Sequence, residues 1–283
     1  MAGAGTGWIK STMLTISDLK YAAEIDLFEA CYALGNEDLT IFDDLPPDLL
    51  PQRDKAGSSI ADMVHHYRRC LRERRESRKR FVTGELLFFA PTPNNVRALR
   101  FIQEHYEGNF FTSSVFCGIR ELLLTPLFLP RLWQLYRRAS AHRKKTVRLY
   151  LHEYLGFYPI FLGAVKFLRE TQPVAVFFAN DHAMSPRAVF YAAKYLGIRT
   201  VYIQHASITS RMPPLQFDLA LLDGPATLDK YEETGPSESQ VVFVGLPRMA
   251  PPDSEDRASA GTALGVATTL LDRREHQSNH QSH

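Results

Sequence analysis

From residue 85 onward the chain alternates short, unbroken apolar runs with helical patterns, and this rhythm constrains the fold more than any other feature. The runs lie at 86–90, 110–112, 174–178, 200–203, 219–222 and 241–244. Helical patterns separate them at 96–105, roughly 117–138 and 147–171, then 185–196 and 226–233. Unbroken apolar strands belong to a parallel sheet covered on both faces, and the helices supply its crossovers. The expected fold class is α/β, a Rossmann-like parallel sheet with flanking helices. No GxGxxG follows any of these runs, so the dinucleotide fingerprint is absent.

Outside this block the character differs. Thr15 to Asp18 has capping-box spacing and opens a helix through Glu29, and Asp43-Asp44-Leu45-Pro46-Pro47 breaks the chain. Ser58-Ser59 begins a long helix whose last part, from Arg68 to Arg80, holds eight basic residues and two glutamates. That run is a solvated helix face or a surface for anionic lipid headgroups or an anionic polymer. After Pro247 the alternation stops, and Ala, Ser, Thr and charge dominate as in a disordered tail. His276, His280 and His283 in this tail receive no function. The expected organisation is a helical N-terminal section (1–83), a Rossmann-like α/β domain (84–248) and the tail (249–283).

Composition narrows the partners. With 33 Lys+Arg against 31 Asp+Glu the net charge is +2, which gives no reason to expect nucleic acid. Arg137, Arg138, Arg143, Lys144, Lys145 and Arg148 nevertheless form a second basic cluster, so the surface is polarised. Cys31, Cys70 and Cys117 make neither a disulfide framework nor a CxxC metal site, which fits a reducing compartment, the cytoplasm. The first residues lack the apolar core of an export signal. The apolar stretches 122–129 and 155–168 fall short of the ~20 residues of a spanning helix. Each is either a core helix or a surface that lies on a membrane.

In open α/β sheets ligands bind beyond the carboxyl ends of the strands. The run 174–178 leads into Asn180-Asp181-His182, with Ser185-Pro186 and Arg187 opening the next helix. The run 200–203 leads into Gln204-His205-Ala206-Ser207, and 219–222 into Asp223-Gly224-Pro225. A carboxylate and imidazoles beside a helix N-terminus can activate a hydroxyl, protonate a leaving group or hold an anion. Singly, Asp181 also suits a helix cap and His205 a turn hydrogen bond. His65-His66 lacks a third ligand at metal spacing, and GxSxG, GxxxxGK[ST] and HExxH are absent.

The stretch VAVFFANDHAMSPRAVFYAAKYLGIRTVYIQHASIT, with PPLQFDLALLDGPATLDKY and VVFVGLPRM after it, resembles bacterial surface-polysaccharide glycosyltransferases of the GT-B superfamily. The matching elements are Asn180-Asp181-His182, Gln204-His205, Asp218 with Asp223-Gly224, and Gly245-Leu246-Pro247; Ala206 stands where that family usually has Gly. The resemblance covers about a quarter of the chain. It implies the first domain of a GT-B-type fold, acting in capsule or lipopolysaccharide synthesis with Asp181 and His205 catalytic. Asn180, His182, Gln204, Ser207 and Arg187 would bind substrate. It implies no cofactor, a nucleotide-sugar donor as substrate, a glycan acceptor, and a peripheral membrane contact through Arg68 to Arg80. The second domain that would hold the donor has no counterpart in residues 249–283, so activity would require a donor-binding half. A catalytically inactive or truncated binding domain, or a sugar-nucleotide epimerase relative, are the alternatives.

Overall fold

The computed structural model describes residues 13–36, 84–112, 117–206, 208 and 212–245. The chain divides into two units, Met1–Pro247 and Arg248–His283, and every described residue belongs to the first. The Arg68–Arg80 run, His65-His66, Cys70, Ser207, Pro247 and the tail with its histidines lie outside the described residues.

Six strands form one all-parallel sheet: β1 (Leu86–Phe89), β2 (Gly108–Phe111), β3 (Ala175–Phe178), β4 (Arg199–Ile203), β5 (Leu219–Leu222) and β6 (Gln240–Phe243), in spatial order β2-β1-β3-β4-β5-β6. The expected Rossmann-like α/β class is what the chain adopts. Side chains alternate across the sheet. Leu87, Phe89, Val176, Phe178, Tyr202 and Leu222 enter the larger core, whereas Phe88, Ala90, Ala179 and Ile203 enter a smaller one. Aromatic rings knit the first strands together, with Phe88 and Phe177 stacked at 5.0 Å and Phe89 and Phe178 tilted against each other at 5.9 Å. Burying each such ring contributes roughly 1.5–3 kcal/mol. A Cβ on Gly108 would lie 2.6 Å from the Phe88 ring, so only glycine lets β2 approach this stack.

The larger face is covered by the N-terminal helices α1 (Ile16–Glu24), α2 (Leu27–Ala30) and α3 (Tyr32–Gly35), then by later helices. The Thr15 capping box is present: Thr15 Oγ1 accepts from the Asp18 N–H, and Asp18 Oδ2 accepts from the Thr15 N–H. The expected single helix through Glu29 instead breaks at Ile25, and Asp26 caps α2 by accepting from the Phe28 N–H. The other face carries α4 (Pro93–Gln103), opened by Thr92.

The expected helix at 117–138 is three elements: α5 (Ile119–Leu123), a 3₁₀ turn (Thr125–Phe128) and α6 (Leu129–Arg138). Pro126 and Pro130 explain the break, because neither can donate in the helical ladder and each favours the first turn of a new element. The second expected helix divides at Tyr150 into α7 (Ala141–Leu149) and α8 (Leu151–Thr171). Nearly every residue of α8 from Tyr154 to Leu168 is buried, so the 155–168 stretch is a core helix. No helix among the described residues is long and apolar enough to cross a membrane.

The last two helices, α9 (Met184–Tyr195) and α10 (Pro225–Glu232), follow β3 and β5. Gly197, at φ +68°, ends α9 in a Schellman motif: its N–H donates to Lys194 O, and the Ile198 N–H donates to Ala193 O. Asp18 is fully buried against α8 and α9. It accepts from both Arg169 Nη atoms, at 2.6 and 3.1 Å, and from Tyr195 Oη at 2.9 Å. Burial alone would raise its pKa, but the Arg169, Thr15 and Tyr195 donors hold it below the ordinary carboxylate value.

Candidate functional site

The strand order sets where a site can form. From β1 the chain passes to β2 on one side, while β3 through β6 run to the other. The order therefore reverses between β1 and β3, the place where open α/β sheets hold a ligand crevice beyond the carboxyl ends of their strands. Ala90-Pro91-Thr92-Pro93-Asn94 lies on one side and Asn180-Asp181-His182-Ala183 on the other. Thr92 Oγ1 accepts from the Asn95 N–H at 3.2 Å and donates to Asn95 Oδ1 at 2.7 Å, which fixes the first loop.

The second loop is held by its own side chains. Asn180 Oδ1 accepts from the N–H groups of His182 (3.2 Å) and Ala183 (3.1 Å), an Asx turn into α9. Ala183 at the N-cap offers no side-chain oxygen to the helix. The capping role open to Asp181 therefore belongs in part to Asn180.

Asp181 turns inward instead and is 2% exposed. Its Oδ2 accepts from Tyr231 Oη of α10 at 2.5 Å. The hydroxyls of Tyr231 and Tyr202 lie 3.1 Å apart. Because Tyr231 directs its one proton at the carboxylate, Tyr202 completes the chain as donor. Burial first, then the Tyr202 hydroxyl and the Asp181 carboxylate, push Tyr231 well above the usual tyrosine range. Burial and Asp181 do the same to Tyr202. Both phenols stay protonated donors.

The other oxygen, Asp181 Oδ1, lies 3.3 Å from His182 Nδ1. A carboxylate only accepts, so His182 Nδ1 is the donor in this contact and Nε2 stands outside it. The His182 side chain is 35% exposed, so it reaches solvent where Asp181 does not. Tyr231 and His182 thus both meet the Asp181 carboxylate, and the half-buried His182 imidazole reaches solvent at the switch point.

No protein-family model, curated protein or solved structure matches this chain.

The ends of β3, β4 and β5 are neighbours in the sheet, so the three expected polar clusters do share one edge. Gln204, however, is committed to the scaffold. Its Oε1 accepts from the Asp223 N–H at 2.9 Å, and its Nε2 donates to Thr227 Oγ1 and Ala206 O. Thr227 in turn donates to Asp223 Oδ1. His205 follows Gln204 and is half-buried beyond the end of β4. Arg187 is fully buried in α9 and donates to Gln216 Oε1 (2.9 Å) and Tyr191 Oη (3.2 Å), with its guanidinium 4.9 Å from the Phe190 ring centre. Asp218 sits at the opposite end of the strands, where its carboxylate staples the Thr200 N–H and hydroxyl.

Sequence reasoning misses Tyr231, which holds the carboxylate, and Tyr202, whose hydroxyl bonds that of Tyr231. The one available signal is a tyrosine on α10 and another in a strand, both of which read as ordinary core residues. Among the described residues no cluster of His, Cys, Asp or Glu has the make-up of a metal site.

Proposed function

We propose that this chain is the acceptor-side domain of a group-transfer enzyme of the surface-polysaccharide glycosyltransferase type, with His182 as its acid–base residue. The observation that carries the reading is the Tyr231–Asp181–His182 chain at the β1/β3 switch point. Direct glycosyl transfer needs a base that takes the proton from the acceptor hydroxyl as its oxygen attacks the anomeric carbon, while the bond from that carbon to the donor's phosphate oxygen breaks and the nucleotide leaves. His182 Nε2 is suited to take that proton, and Asp181 orients the ring and offsets the imidazolium charge that results. Asp181 is a positioning residue in this scheme, because its burial keeps it from the substrate. Asn180 and Thr92 flank the acceptor, and His205 lies on the side of β4. The choice of a glycosyl group rests on the sequence resemblance at 174–247.

Binding is the first test. CMP-, CDP- and UDP-linked sugars are titrated against the full chain by thermal shift. A saturable rise with one of them, together with nucleotide release on adding a glycan acceptor, supports transfer. Saturable binding with no release even beside a donor-binding partner favours a binding domain. Release of an isomerised sugar without acceptor favours an epimerase.

A further inference from the structure

We infer that the face formed by α5, the 3₁₀ turn and α6 docks on an anionic lipid bilayer, whatever reaction the crevice carries out. Ile119, Leu123, Leu127, Leu129 and Trp133 are exposed by 61%, 73%, 62%, 47% and 60%. They lie on three consecutive elements, four residues apart except for Leu127 and Leu129. Folded proteins seldom leave so many large apolar side chains together in water without a partner.

Charge says which partner. No Asp or Glu occurs between Glu121 and Glu153, and Glu121 itself is buried, with Oε2 accepting from the Gly118 N–H. Every formal charge over that span is positive. These elements run directly into this charge: Trp133 stacks on Tyr136 at 5.7 Å, and Arg148 of α7 reaches Tyr136 Oη through Nε at 2.8 Å. Arg137 and Arg138 close α6, and Lys144 and Lys145 lie on α7. An open cavity of about 300 Å³ between Arg138, Ser140, Arg143 and the Phe28 ring adds two guanidinium groups at the same corner.

Apolar side chains beside a basic rim, with tryptophan at the boundary, match the layering of a membrane interface: acyl chains, then anionic headgroups. A second copy of the chain is a poor occupant, because a two-fold contact would press like charges together. A polyanion has no use for the leucines. The exposure of these residues distinguishes this face from α8, whose apolar side chains are consumed by the core.

Vesicle flotation of the full chain tests the inference. Vesicles of phosphatidylcholine alone are compared with vesicles that also contain phosphatidylglycerol. The sequence holds two tryptophans, so Trp8→Phe leaves Trp133 as the only reporter. Expected are flotation with the anionic vesicles only, a blue shift of Trp133 emission, and partition weakened about tenfold or more by Leu123→Glu with Leu127→Glu. Lys144→Glu with Lys145→Glu gives a similar loss, and both double variants keep the wild-type circular dichroism melt. Flotation with unchanged Trp133 emission overturns the inference and moves the contact to another surface, such as the Arg68–Arg80 run. So do wild-type partition by the glutamate variants, self-association that they abolish, and heparin binding without vesicle binding.

Discussion

Tyr231 Oη donates to Asp181 Oδ2 across 2.5 Å, so a helix that follows β5 holds the carboxylate at the end of β3. Two crossover units are thereby locked at the edge where the crevice opens. Tyr231→Phe removes the donor and leaves a buried carboxylate oxygen without it, which costs about 1–3 kcal/mol. Urea unfolding measures this loss. An unchanged midpoint would mean that the bond contributes nothing to the fold.

Asp18 predicts how the chain responds to acid. Its folded pKa lies below the ordinary carboxylate value of 3.8, so its stabilising contribution is complete above that value. The contribution is lost as pH falls through the lowered folded pKa, when protonation breaks the Arg169 pair. Asp18→Asn should cost about 1.5–3 kcal/mol at neutral pH, because the half-buried Arg169 loses its carboxylate but still reaches solvent. The variant should also flatten the stability profile on the acid side. Denaturant midpoints compared between about pH 2 and pH 7 show both effects.

Gln204 predicts a separation of stability from binding. It ties β4 to the Asp223 N–H and to Thr227, so Gln204→Leu leaves the part-buried Asp223 N–H without its acceptor and costs about 1–3 kcal/mol. Affinity for the glycan acceptor, read by calorimetry on the folded variant, should stay within about twofold. A larger change in affinity would return Gln204 to the substrate site.

The fold was legible and the site only partly so. Six apolar runs with helices between them specify a parallel sheet, because side chains buried on both faces leave no polar alternation. Strand order is invisible in that pattern, and with it the switch point between β1 and β3. The strand-end rule therefore points to Asp181 and His182 as candidates, but the sequence reading pairs Asp181 with His205 as catalytic and groups His182 with Gln204 and Arg187 as substrate-binding. Two neighbours of Asp181 come from β4 and α10, far along the chain, and tyrosines in such positions carry no local mark. The helix breaks at Pro126 and Pro130 were readable from the prolines themselves, whereas the break at Tyr150 has no sequence signal of that kind.

Arg187 illustrates what burial does to a charged residue. Its Nε and Nη1 have no hydrogen-bond partner, although the side chain is fully enclosed. Arg187→Met fills most of that volume without the two unpaired donors, and its stability should fall within about 1 kcal/mol of the original chain. Thermal and urea unfolding would show a loss well beyond this if the guanidinium were held by a further partner.

The transfer reaction itself gives the sharpest test of the account. With the nucleotide-sugar identified by thermal shift, and a donor-binding partner supplied if turnover requires one, the rate is compared for the original chain and His182→Asn. The expected result is a fall in kcat of about 10²–10⁴-fold with KM nearly unchanged, the measure of a lost proton acceptor. Asp181→Asn should show a similar fall together with a shifted pH profile. Wild-type turnover by His182→Asn would contradict the proposal that this imidazole carries the chemistry.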